Sequence, residues 1–135
     1  MAYATQADVE AIYPDILKIV ADHDDDGEAD AAVVARGLAE ADGIIDSHLS
    51  VQYALPLAQV PAFLRAIAVD IAVYRMALDQ SVRTEEMRLR YEDHVKHLQR
   101  IADGKAGLGV SVLGEGETNP DAQIRSATVD YFVRR

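Results

Sequence analysis

Cysteine is absent from this chain of 135 residues. No disulfide, thiolate nucleophile or Cys-ligated zinc can form, so the fold has to rest on packing, and synthesis in a reducing compartment fits. Long hydrophobic runs are missing too. The most apolar region is broken by Arg65, Asp70 and Arg75, short of the ~20 continuous apolar residues a membrane-spanning helix needs. No membrane association is expected. Positive charge is scarce, with 13 Lys and Arg against 23 Asp and Glu and a formal net charge of −10. Such a balance repels the phosphate backbone, so a sequence-specific nucleic-acid reader is not expected. The start, Met1 to Asp8, has neither the basic residues nor the apolar stretch of a secretory signal, which points to synthesis in the cytoplasm.

Signatures of catalysis are equally lacking. Ser47, Ser50, Ser81, Ser111 and Ser126 lie outside any Gly-x-Ser-x-Gly elbow, and there is neither a phosphate-binding Gly-x-x-x-x-Gly-Lys loop nor a dinucleotide fingerprint. His23 and His48 have no catalytic company. His94 and His97, beside Glu92 and Asp93, are three residues apart and could share a helix face to hold a transition metal or serve a hydrolase. That spacing is common in ordinary helices, and the chain is expected not to be an enzyme.

What the sequence does contain is helical patterning. Half of the residues are hydrophobic, enough for one modest core. Thr5-Gln6-Ala7-Asp8 has the spacing of a capping box, and Val9, Ile12 and Tyr13 give the helix it opens an apolar face. Pro14 should interrupt that helix before a further turn carrying Ile16, Ile19 and Val20. Asp30 suits the N-cap of a longer helix whose apolar residues Val34, Leu38, Ala41, Ile45 and Leu49 recur at spacings of three and four. Gly37 and Gly43 weaken this helix by up to about 1 kcal/mol each relative to Ala, a loss that close approach of another backbone explains.

Tyr53 to Pro61 reads as a connector, with Pro61 suited to the first turn of the next helix. From Ala62 to Leu78 the chain is apolar around most of a helix, which must then be surrounded. Asp70 in its middle needs a partner, and a salt bridge to Arg36 or Arg75 is the expectation. Glu85 to Ile101 lays a single stripe, Met87, Tyr91, Val95 and Leu98, on the core, with His94 and His97 near its border. The expected fold is mainly α, a small bundle of four to five helices over residues 1–103. A glycine-rich extended C-terminal arm, residues 104–135, completes the chain, with a strand from alternation of Ala127, Val129, Tyr131 and Val133.

One loop has the spacing of a cation site. Asp22, Asp24, Asp26 and Asp30 occupy the first, third, fifth and ninth positions of an EF-hand-like loop, Glu28 stands at the seventh and Gly27 at the sixth. The twelfth position, where a bidentate Glu normally completes the shell, is Val33. A weak Ca²⁺ site built from Asp22, Asp24, Asp26, Glu28 and Asp30, serving a small interaction module, is the alternative to a solvated acidic turn. No other cofactor is expected.

Several segments in order carry a family likeness: Tyr3-Ala4-Thr5-Gln6-Ala7-Asp8, Asp24-Asp25-Asp26-Gly27, Ile45-Asp46-Ser47-His48-Leu49, Tyr53-Ala54-Leu55-Pro56-Leu57 with Val60-Pro61, Asp70-Ile71-Ala72-Val73-Tyr74-Arg75 and Ile101-Ala102-Asp103-Gly104-Lys105. Across residues 3–110 the chain resembles the small Mu-type phage and prophage proteins regarded as head-tail connector, or neck, subunits. The resemblance implies a virion protein made in the bacterial host, a homo-oligomeric ring with a dodecamer as the expected form, and contacts with the portal and tail-completion proteins. It supplies no catalytic residues. An acidic ring suits passage of DNA because a lumen that repels phosphate does not grip it, and a flexible arm can clasp a neighbour by strand addition.

Overall fold

The computed structural model describes residues 1–77 and 82–109. Five helices occur in order: α1 (Gln6–Ile12), α2 (Ile16–Val20), α3 (Ala31–Leu49), α4 (Ala62–Ala77) and α5 (Glu85–Ala102). The mainly α fold and the helix number agree with the sequence patterning, and no strand occurs among the described residues. Leu78, the arm beyond Gly109 and the strand at Ala127 to Val133 lie outside them.

Local chemistry starts the first helix as the spacing demands. The Thr5 hydroxyl accepts from the Asp8 N–H at 3.2 Å while the Asp8 carboxylate accepts from the Thr5 N–H at 2.9 Å, closing a capping box. α1 stops at Ile12, and Asp15 turns the chain in the left-handed region, φ 66°, into α2. The proline thus separates two short helices, each too short to stand in water alone. Their Val9, Leu17 and Val20 are buried against the rest.

α4 is the hub. Leu64, Ile67, Ala68, Val69, Ile71, Ala72, Val73, Met76 and Ala77 are all buried, which is why its sequence is apolar on nearly every side. α3 packs along it through Val34, Gly37, Ala41, Ile45 and Leu49, α5 through Leu98 and Ile101, and α1 and α2 close a further side. Pro61 sits one residue ahead of α4, and its carbonyl accepts from the Leu64 N–H. The buried set holds hydrophobic residues and no polar or charged one among those described.

The glycines of α3 divide. A Cβ on Gly37 would lie 2.7 Å from Met76 Cγ and 2.9 Å from Met76 Cε, so here α3 and α4 do approach closely. Gly43 meets nothing within 4 Å and carries no such role. Gly43→Ala is therefore expected to raise the unfolding free energy by about 1 kcal/mol, the helix-propensity difference. Gly37→Val should lower it by roughly 1–3 kcal/mol through overpacking. Urea denaturation of the two variants checks both signs.

The N-terminal segment is strapped over α3. The Met1 ammonium pairs with Asp46 at 3.0 Å, Tyr3 N–H donates to Asp42 at 3.0 Å, and the Tyr3 hydroxyl donates to Asp46 at 2.5 Å. Burial, then the Asp46 hydrogen bond, raises the Tyr3 pKa well above the ordinary phenol value. After α5 the chain turns at Gly104, φ 79°, and Leu108 is buried, its N–H donating to the Tyr53 hydroxyl at 3.1 Å.

Candidate functional site

Two places concentrate polar side chains. The first joins three helices. Asp70, midway along α4, receives the Tyr13 hydroxyl at 2.5 Å from the end of α1, and His94 Nε2 of α5 lies 2.6 Å from its other oxygen. An ionised carboxylate only accepts, so Nε2 must carry a proton. The sequence expectation of an arginine partner is corrected here: Asp70 is met by a phenol and an imidazole, while Arg75 pairs with Glu40 at 3.1 Å. The reason is geometric. Arg75 is five residues beyond Asp70, about 140° around the helix, and faces α3.

His94, 26% exposed, lies at the border of the α5 stripe as the sequence suggests, and its direction toward α4 has a signal in the sequence. It precedes the buried Leu98 by four residues and Ile101 by seven, which puts all three on one face. Arg90, one turn earlier, lays its guanidinium over the Tyr13 ring at 5.3 Å. His97 stacks on Phe63 with centroids 5.4 Å apart. The two histidines thus have separate partners and do not converge as a metal pair. Tyr13 is pushed up to about 12 by burial, by its hydrogen bond to Asp70 and by that carboxylate's charge, with Arg90 opposing. Beside this tie lies a small slot, partly open to solvent and lined by Tyr13, Ile16, Asp70, Val73, Met87 and Arg90; its cavity volume of ≈ 20 Å³ is enough for about one water.

The second place is the acidic loop. The carboxylates of Asp22, Asp24, Asp26 and Asp30 offer oxygens within 4.8 Å of one another. Glu28 is not among them. The loop is organised by its own backbone: Asp22 accepts from the N–H groups of Asp26 at 3.0 Å and Gly27 at 2.8 Å, and Asp26 accepts from the Glu28 N–H at 2.8 Å. Asp25 and Gly27 make the bend with positive φ. Asp30 stands at the N-cap position of α3, but its side chain makes no cap; it accepts from the His23 N–H at 2.9 Å and ties the loop shut. Val33, at the twelfth position, is buried in α3 and offers no oxygen.

Crowding splits the loop's acidities. Some loss of hydration raises Asp22, but the Gly27 and Asp26 N–H bonds and hydrogen bonds with Asp24 and Asp26 outweigh it and hold its pKa below the usual value. Asp24 is pushed up to about 6 by lost hydration, its hydrogen bond with Asp22 and the charges of Asp26 and Asp30. For a carboxylic acid raised on folding, the native state holds the extra proton, so stability falls as pH rises from about 4 to about 6 and the penalty persists above that. Asp24→Asn imitates the protonated form. The variant is expected to be more stable than the parent above pH 6, with the advantage disappearing below pH 4, as thermal melts across that range would show.

The class defined by these features is a small, mainly α protein whose described residues have an apolar core and whose sequence is strongly acidic. No helix among the described residues is long and apolar enough to cross a membrane. Comparison with known proteins makes the assignment particular: residues 3–126 match the family described as Bacteriophage Mu, Gp36, and the chain belongs to that family. Gene product J of Escherichia phage Mu is 36% identical over 85 residues, which make up 63% of this chain and 59% of that protein. The Mu-like prophage FluMu protein gp36 of Haemophilus influenzae is 37% identical over 99 residues, 73% of this chain and 69% of that protein. The chain thus spans about three fifths of the phage Mu relative. It is a Mu-type phage protein, as its ordered segments implied.

Proposed function

We propose that the chain is a non-enzymatic structural subunit of the neck, the joint between the DNA-filled head and the tail, and that it resides in the virion. The observation that carries this reading is the family match, which runs through every helix of the body. Physical chemistry supports it. Asp70, Tyr13 and His94 are spent on one another, and the slot beside them has room for about one water. A net charge of −10 gives a ring of such subunits a lumen that DNA passes without being held. Its partners are further copies of itself in a ring, the portal above and a tail-completion protein below.

Interrupting the gene in its phage or prophage tests the proposal. Electron microscopy of induced lysates should show DNA-filled heads and finished tails that remain separate, and a plasmid copy should restore joined particles. Normal virions assembled without the protein would sink the reading.

The convergence of four carboxylates in the acidic loop favours one second reading, a small Ca²⁺-binding interaction module. It expects millimolar Ca²⁺ to raise the melting temperature and the paired substitution Asp24→Ala, Asp26→Ala to abolish the gain. A calorimetric titration without heat removes it.

A further inference from the structure

Charge is divided unevenly along this chain. Residues 1–61 hold 12 of the 23 acids and two of the 13 bases, a net −10, whereas residues 62–105 hold seven acids and eight bases, a net +1. The fold turns that division into two faces. On the side of α1 and α2 lies a cleft of ≈ 350 Å³, partly open to solvent, whose lining includes the carboxylates of Glu10, Asp15 and Glu28 against the single ammonium of Lys18. All four side chains are exposed, and none forms an ion pair with another described residue. Pro14 and Ala29 add apolar wall. Carboxylates combined with apolar wall suit a side chain with an aliphatic stem and a cationic head, arginine or lysine, and the volume is that of clefts that take a ligand.

The second face closes α5. Lys96 and Arg100, four residues apart, share one side of the helix, and Lys105 folds back so that its N–H donates to the Arg100 carbonyl at 2.8 Å. All three are exposed, and although Asp93 and Asp103 lie three residues from Lys96 and Arg100, none of the three bases forms an ion pair with a described residue. The two faces sit toward opposite ends of α4. His23 Nε2 lies 3.2 Å from the Met76 carbonyl, which sets the loop carrying Glu28 at the C-terminal end of α4; stacking of His97 on Phe63 sets the last turns of α5 at the N-terminal end, thirteen residues or roughly 20 Å away. One packed body cannot bring its own two faces together. A second copy can.

We propose that the cleft carrying Glu10, Asp15 and Glu28 receives Lys96, Arg100 and Lys105, at the end of α5, from a second copy of the chain. The inference rests on the neck reading for the presence of neighbouring copies, and it names the surfaces by which they meet. Copies that each carry −10 repel one another, and a contact of acid on base relieves that repulsion where they touch. Complementary charge also fixes the register of a contact and suppresses wrong pairings. Because the two faces differ, the contact repeats head to tail, the kind that closes rings.

Charge reversal in the full-length chain tests it. One variant carries Glu10→Lys with Glu28→Lys and the other Arg100→Glu with Lys105→Glu, all at exposed positions where circular dichroism should show the fold unchanged. In sedimentation at low salt the parent should self-associate, and added salt should weaken that association. Each variant alone should associate roughly tenfold less tightly, or worse, because like charges now face each other. Mixing the two variants, or combining all four reversals in one chain, should restore association, since opposite charges meet again. A parent that stays monomeric, a variant that associates as the parent does, or a loss that neither the mixture nor the fourfold reversal rescues overturns the proposal. This readout contains no portal or tail, so its failure leaves the head–tail joining experiment intact as the separate test of the neck reading.

Discussion

Asp70→Ala is expected to lower the unfolding free energy by about 3 kcal/mol, because hydrogen bonds to a charged group are each worth roughly 1.5–3 kcal/mol and their loss leaves partners behind. The Asp70 side chain is only 13% exposed and ties α1 and α5 to the same point of α4. Without it the Tyr13 hydroxyl and His94 Nε2 both lose their acceptor. Asp70→Asn separates charge from shape. The amide oxygen can still accept from one partner, but its NH₂ then faces a second donor, so the variant should fall between alanine and the parent.

An optical readout accompanies the stability. Tyr13 is pushed up to about 12 first by burial and then by Asp70, so removing the carboxylate should bring its titration part of the way back toward 10. Following phenolate absorbance against pH would show this. An unchanged titration with a loss under ~1 kcal/mol, at the low end for single hydrogen bonds, would mean that the three side chains are near one another without depending on one another.

This tie also marks where the sequence stops being legible. The capping box of Thr5 and Asp8 could be read because both partners lie within one turn, and α4 could be recognised as surrounded because its own residues are apolar on every side. Asp70 announced only that it needed company. Its partners lie 57 and 24 residues away, and no local pattern distinguishes a phenol on α1 from an arginine on α3. Gly37 and Gly43 make the same point within one helix: chain neighbours predict equal weakness in both, and only the packing of Met76 against Gly37 separates them. Asp30 has the residue type and place of an N-cap, yet the loop draws its carboxylate to His23, a bond that depends on the turn at Asp25 and Gly27. The acidic cluster itself was legible, since four aspartates within nine residues cannot separate far; that Glu28 stays outside it was not.

Leu98→Ala should be the other large effect, a loss of about 3 kcal/mol within the 2–5 kcal/mol range for buried leucines. α5 is unusually dependent on it. Of the helix's eighteen residues only Leu98 and Ile101 are buried, and its further contacts include His94 with Asp70, Tyr91 stacked on Tyr74 at 4.2 Å, His97 stacked on Phe63 at 5.4 Å and Arg90 over the Tyr13 ring at 5.3 Å. Its own ion pairs, Arg88 with Glu85 and with Glu92 and Arg90 with Glu86, act within the helix and are exposed. They act along the helix itself and not between α5 and its neighbours. A cavity at Leu98 should therefore loosen α5 from α4 before it unfolds α3, and amide hydrogen exchange should show α5 opening at lower free energy than α3. Leu89→Ala, at an exposed position, should change stability by less than about 0.5 kcal/mol. The double variant decides whether α5 docks as a unit. If Leu98→Ala already releases it, Asp70→Asn loses its effect through His94 and the two costs sum to less than their separate values; strict additivity would show that the two contacts hold the helix independently.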